Sequence, residues 1–181
     1  MRRFQGRTAA LLMGGVLLAA VPCQAEDKIA GSVTADGQAA SFTQGFAWVD
    51  GHRQVSVGFF AALPNAKEQT QAMSGSTPLT GVFDKPNVRV DLQFTEGATQ
   101  ASAAAVSSCH VAYGSFGYGP FTYNTDLKGC GVVELSGRLA PGSVVHGKLK
   151  GRGESFFAQK DGHKAAFTWD VDFTASLRAK P

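Results

Sequence analysis

Two carboxylates, Asp170 and Asp172, stand two residues apart near the end of the chain, and on a strand that spacing puts both on one face. Paired carboxylates can divide the work of acid and base or hold a hard cation. No third carboxylate follows at a suggestive spacing, and Lys148, Lys150 and Lys164 are available as cross-strand partners, so surface ion pairing is the expected role. With His110 and His146, the two aspartates are the first candidates if the chain is an enzyme of a class without a visible motif. No HExxH, GxSxG, SxxK or Cys-x-x-Cys occurs, and Gly147–Gly153, though basic and glycine-rich, lacks the Gly-Lys-Ser/Thr end of a phosphate loop. No catalytic residue, metal or cofactor is therefore assigned.

Cys109 and Cys130 are expected to form a disulfide, the simplest fate of an even pair in an exported chain. His110 is a poor companion ligand for a metal, because its side chain leaves a strand on the face opposite that of Cys109. Between the cysteines runs Gly114-Ser115-Phe116-Gly117-Tyr118-Gly119-Pro120-Phe121-Thr122-Tyr123-Asn124, with all three tyrosines in or beside it. Aromatics interleaved with glycine on a stapled loop suit contact with a protein or a glycan, since tyrosine offers a broad apolar face, a polar tip and few torsions to freeze. Tyr113, Phe116, Tyr118, Phe121 and Tyr123 are the candidate binding residues; the bland alternative is that they close one end of the core.

The elements that must carry these residues are strands. From Ala165 to Leu177 every second residue is apolar (Ala165, Phe167, Trp169, Val171, Phe173, Ala175, Leu177), and the residues between are mostly charged or hydroxylated. That is a half-buried strand, and at roughly 3.3 Å per residue its 13 residues reach about 43 Å, long enough to bend. Val88 to Phe94 alternates as clearly, with Arg89, Asp91 and Gln93 on the second face. Lys28–Thr34 and Ala39–Val49 read as a hairpin around Ala35-Asp36-Gly37, with a bulge expected at Gly45. Arg53–Leu63 follows the turn Asp50-Gly51, and Phe60 and Ala62 on its outer face imply partial cover there.

Helix formers from Asn65 to Ser74 suggest one or two helical turns after Pro64. Ala101–Tyr113 ends as strand. Gly131–Leu139 and Ser143–Gly151 form a hairpin in which Val133, Leu135 and Leu139 face Val145 and Leu149, and Ser155–Gln159 is a short strand before Asp161-Gly162.

Arg2, Arg3 and Arg7 precede the apolar run Ala9–Val21, and Cys23-Gln24-Ala25 places small residues before Glu26, the pattern of a signal peptide cleaved after Ala25. The run has 13 residues, fewer than the roughly 20 that span a bilayer as a helix, and no other stretch is long enough. Pro22 and Ala20 make Cys23 a poor lipoprotein anchor.

Without residues 1–25 the 17 basic residues fall to 14, against 14 acidic ones, so the mature domain carries no general electrostatic case for nucleic acid. Arg138, Lys148, Lys150, Arg152, Lys160 and Lys164 make only the last third locally basic.

The expectation is an all-β protein: residues 1–25 as signal peptide, then one domain, 26–181, an antiparallel β-sandwich or closed-up barrel of about eight or nine strands with at most one short helix. Its expected role is that of an exported, periplasmic or secreted, non-catalytic domain that binds a protein or glycan through the stapled aromatic loop, in the manner of an inhibitor or immunity protein. A barrel holding an apolar ligand such as a lipid is the alternative; it requires a cavity where Phe42, Phe46, Trp48, Phe59, Phe94, Phe167, Trp169 and Phe173 would otherwise fill the interior.

Overall fold

The computed structural model describes residues 27–35, 37–74, 86–115, 118–125, 131–158 and 164–181, except the side chains of 115, 118–125, 155–158 and 165. The expected signal peptide, the Asp161-Gly162 turn, Phe116 and Cys130 lie outside the described residues. Ten strands form a strongly curled sheet, a mixed half-barrel: β1 (Lys28–Ala35), β2 (Gln38–Phe42), β3 (Gln44–Val49), β4 (Gln54–Phe60), β5 (Asn87–Phe94), β6 (Val106–Ser115), β7 (Tyr118–Thr125), β8 (Val132–Gly137), β9 (Val144–Ala158) and β10 (Lys164–Ala179). One short helix, α1 (Ala66–Ser74), and a 3-10 turn at Ala103–Ala105 are the helical elements among them. No described helix is long and apolar enough to cross a membrane.

The alternating strand read from Ala165 to Leu177 is the hub. β10 pairs antiparallel with β9 from Lys164 to Ser176 and with β1 up to Thr174. From Leu177 to Ala179 it takes β3 as a parallel neighbour, which joins β2-β1-β10-β9-β8 to β3-β4-β5-β6-β7. A strand of 16 residues is long enough for one end to serve each half of a curled sheet. The parallel pair makes the sheet mixed, where hairpins alone would have made it antiparallel throughout.

Three other strands depart from expectation. Ala39–Val49 breaks at Thr43: β2 stays beside β1, and β3 crosses to pair with β4. Gly45 is not a bulge but a close approach, since a Cβ there would lie 2.1 Å from the Gly58 carbonyl oxygen and 2.9 Å from Ile29. Ser143–Gly151 and Ser155–Gln159 merge into one 15-residue strand, β9. Val133 is 57% exposed rather than core-facing, because a register shift between Val132 and Glu134 turns it outward.

The inner face of the curl is filled by Phe42, Phe59, Phe94, Phe167, Trp169 and Phe173 with Val, Leu and Ile side chains from both halves. Phe46 and Trp48, expected inside, instead lie on the outer face of β3, where with Phe60 they form a second apolar cluster under Ala72 and Met73 of α1. This is the cover that Phe60 implied. Asn65 opens the helix reciprocally: its Oδ1 accepts from Glu68 N at 3.0 Å, and its own N–H donates to Glu68 Oε2 at 2.8 Å. Arg178 holds the helix to the end of β10, lying 4.9 Å over the Phe46 ring and donating from Nη1 to Gln69 Oε1 at 2.5 Å.

Candidate functional site

Helix α1 covers only part of the outer face of β3, β4 and β5. Beyond its cover, the side chains that alternate with the core residues form polar rows across the strands. The register sets Gln54 opposite Gln93 and Gln93 opposite Ser108; one pleat on, Ser56 stands opposite Asp91 and Asp91 opposite His110. Arg89 and Trp48 complete the cluster, the guanidinium 5.3 Å from the indole centroid.

Asp91 is the centre. Its Oδ1 accepts from Ser56 Oγ at 2.5 Å and from Arg89 Nε at 2.7 Å, and its Oδ2 lies 3.6 Å from His110 Nδ1. Burial by itself pushes this carboxyl up, but the hydrogen bonds from His110, Ser56 and Arg89, together with the Arg89 charge, outweigh it and hold Asp91 below the usual carboxylate value. Ser56 and Arg89 are 2% and 6% exposed, so their bonds to Asp91 are made in a place water hardly reaches. The Asp91 and His110 side chains are more open, at 15% and 30%. They line a cleft of about 250 Å³ with Gln54, Gln93, Ser108 and Cys109.

Serine, histidine and aspartate together invite comparison with a hydrolase triad, yet the order is wrong. In a triad the imidazole sits between hydroxyl and carboxylate and takes the serine proton. Here the carboxylate sits in the middle, the Ser56 hydroxyl donates its hydrogen bond to Asp91, and Ser56 is buried. The arrangement can fix side chains in place and offer hydrogen-bond acceptors; it does not prepare a nucleophile.

Of the residues singled out from the sequence, His110 and Cys109 line this cleft; the others that the structure describes lie elsewhere. Asp170 pairs with Lys150, Nζ to Oδ2 2.9 Å, the surface ion pair expected of it, and this hydrogen bond raises the Lys150 ammonium above its ordinary value. Asp172 stands opposite Lys148. His146 on β9 is 3.1 Å from Thr174 Oγ1 and 3.4 Å from Glu134 Oε2, far along the sheet from Asp91. Gly147–Gly151 is part of β9, which excludes a phosphate loop. Among the described residues no group of three or more His, Cys, Asp or Glu is placed to hold a metal ion.

The stretch Gly114–Asn124 is less a loop than a hairpin, with β6 running to Ser115 and β7 beginning at Tyr118. Tyr113 is buried in the inner core. Tyr118, Phe121 and Tyr123 occupy β7 opposite Ser115, Tyr113 and Val111, while their side chains, like all of Phe116, lie outside the described residues. Cys109, on the inner face of β6, is buried; Cys130, its expected partner, is outside the described residues.

Ser56, Arg89 and Asp91 were not found by sequence reasoning. Arg89 and Asp91 stood in plain alternation with Val88, Val90 and Leu92, as solvent-facing residues do. The signal available was Phe60, two pleats from Ser56, whose implied cover makes that face of β4 and its neighbours partly buried. No protein-family model matches the chain, and no curated protein is significantly similar to it.

Proposed function

We propose that this protein is an exported, non-catalytic binding domain that engages a protein or glycan partner. The observation that carries the reading is the order of groups around Asp91: Ser56, Asp91 and His110 are committed to one another, with the hydroxyl donating to the carboxylate and the serine buried. A rigid sheet is what a binding module needs, because ordering costs are then met in folding and not at association. The hairpin β6–β7 lies at one end of the strand order and brings Tyr118, Phe121 and Tyr123 together on one strand. End strands and aromatic residues are both recurrent features of protein recognition. Export is inferred from the leader pattern of residues 1–25, and the pairing of Cys109 with Cys130 follows from export within the same proposal.

The apolar-ligand barrel would need open volume where Phe42, Phe59, Phe167, Trp169 and Phe173 now stand. Capture of partners from an extracytoplasmic extract tests the proposal, with Phe116→Ala and Tyr118→Ala as controls. A partner retained by the native protein and lost by the variants supports it. Equal retention by all three removes the hairpin from the account.

A further inference from the structure

We propose that the cleft beside Asp91 is a subsite for a single sugar ring and recognises adjacent hydroxyl groups. The inference deepens the binding reading above and rests on it, but at a different place on the sheet from the hairpin.

Its basis is which hydrogen-bonding groups are already spent. Ser56 has one proton, and Asp91 Oδ1 receives it, so Ser56 Oγ can only accept from Gln54 Nε2 at 3.3 Å. The Gln54 amide is thereby oriented, with one of its two N–H groups engaged and its oxygen left over. Gln93 is fixed in the same sense, since Nε2 donates to the His52 carbonyl at 2.8 Å. Asp91 Oδ1 takes two donors, while Oδ2 has the looser 3.6 Å approach of His110. Three side chains that line the cleft therefore carry an acceptor not fully used, Gln54 Oε1, Gln93 Oε1 and Asp91 Oδ2, and Ser108 and His110 line it beside them. Each amide also keeps one N–H, so a ligand for this surface must bring donors for the acceptors and can accept in return.

Charge narrows the class. The Arg89 guanidinium 2.7 Å from Asp91 already neutralises the carboxylate, so a cationic ligand would gain little attraction and would meet a like charge behind it. An anion such as phosphate brings mainly acceptors and would leave Gln54 Oε1, Gln93 Oε1 and Asp91 Oδ2 without donors. Neutral hydroxyls are left, and neighbouring hydroxyls on one ring supply several donors at once. At about 250 Å³ the cleft is smaller than the roughly 300–1,000 Å³ that enclose drug-sized ligands, which fits one ring with the rest of a glycan in solvent. The acceptors come from three neighbouring strands, β4, β5 and β6, so they are held before the ligand arrives.

The test is a titration of the ¹⁵N-labelled protein, followed by NMR, with the methyl glycosides of glucose, galactose, mannose and N-acetylglucosamine, and with methylguanidinium and inorganic phosphate as competing chemistries. Saturable shifts of the Gln54 and Gln93 side-chain amides with at least one glycoside are expected. Ser108→Ala, a change at an exposed position, should weaken that glycoside about three- to tenfold, the worth of one hydrogen bond. Asp91→Asn should weaken it further in protein shown to be folded. Absence of saturable shifts with every glycoside overturns the proposal, as does saturation by methylguanidinium or phosphate alone. The two readings fail separately: loss of partner capture in Tyr118→Ala concerns the hairpin, whereas a flat glycoside titration removes the cleft and leaves the hairpin standing.

Discussion

Arg89 and Asp91 stand two residues apart on β5, on the same outer face, with Nε and Oδ1 2.7 Å apart, and the pair is roofed by Trp48 on one side and completed by Ser56 and His110 on the other. Neither charge is fully solvated, so the pair contributes to the satisfaction of both. A buried pair adds little net stability compared with an apolar replacement of both partners, but loss of one partner strands the other. Asp91→Ala is therefore expected to cost about 3 to 5 kcal/mol by denaturant unfolding at neutral pH. A loss below about 1 kcal/mol would mean that Arg89 finds water readily.

The same carboxylate sets a pH dependence. Its value in the folded protein lies below that of an ordinary aspartate, so around and below that ordinary value the unfolded chain binds the proton more readily. The contribution of Asp91 to stability is complete above that value and disappears as pH falls through the lower, folded one. Asp91→Asn should flatten the acid limb of the stability curve below about pH 4, measured as unfolding midpoint against pH. An acid limb of unchanged slope would assign acid sensitivity to other groups.

Gly147 lies where the Phe173 ring packs: a Cβ at 147 would come within 2.4 Å of the ring. Gly147→Ala should displace Phe173 and destabilise the protein by about 1 to 3 kcal/mol. Gly51 is the control, since a Cβ there meets nothing within 4 Å, and Gly51→Ala should change stability by less than about 0.5 kcal/mol.

Asn65 and Glu68 cap each other at the start of α1, the helix that covers Phe46, Trp48 and Phe60. Asn65→Ala should cost about 1 kcal/mol. Fraying of the helix should also expose the indole, so the Trp48 fluorescence, isolated in a Trp169→Phe background, should move to longer wavelength. An unshifted spectrum would mean that the apolar contacts hold the helix without its cap.

The proposed bond between Cys109 and Cys130 should contribute about 2 to 4 kcal/mol. A Cys109→Ser, Cys130→Ser variant should melt some degrees lower yet keep most of its strand signal by circular dichroism, because the inner core draws on both halves of the sheet. Two free thiols on labelling of the native protein under non-reducing conditions would refute the pairing.

Strand character was legible from the sequence wherever one face met a core and the other met water. Phe167, Trp169, Val171 and Phe173 could only alternate on a strand, and that strand is the hub of the fold; Val88 to Phe94 was equally clear. The Asp170–Lys150 pair was legible for the same reason, because cross-strand neighbours on a wet face are few. Tertiary structure alone decided which side of each strand mattered. Alternation does not distinguish an inner face from an outer one under a helix, so Phe46 and Trp48 could be read as core until α1 covered them from outside.

Nor does periodicity report strand order: the parallel contact of Leu177–Ala179 with β3 joins residues about 130 positions apart, through backbone hydrogen bonds that have no side-chain signature. The Asp91 cluster depends on both. Ser56, Asp91 and His110 come from three strands, and only their register brings one hydroxyl, one carboxylate and one imidazole side by side. Local sequence sets what each strand can bury, because that is a property of neighbouring side chains. What meets across strands is set by the pairing of distant segments, which the free energy of the whole sheet selects.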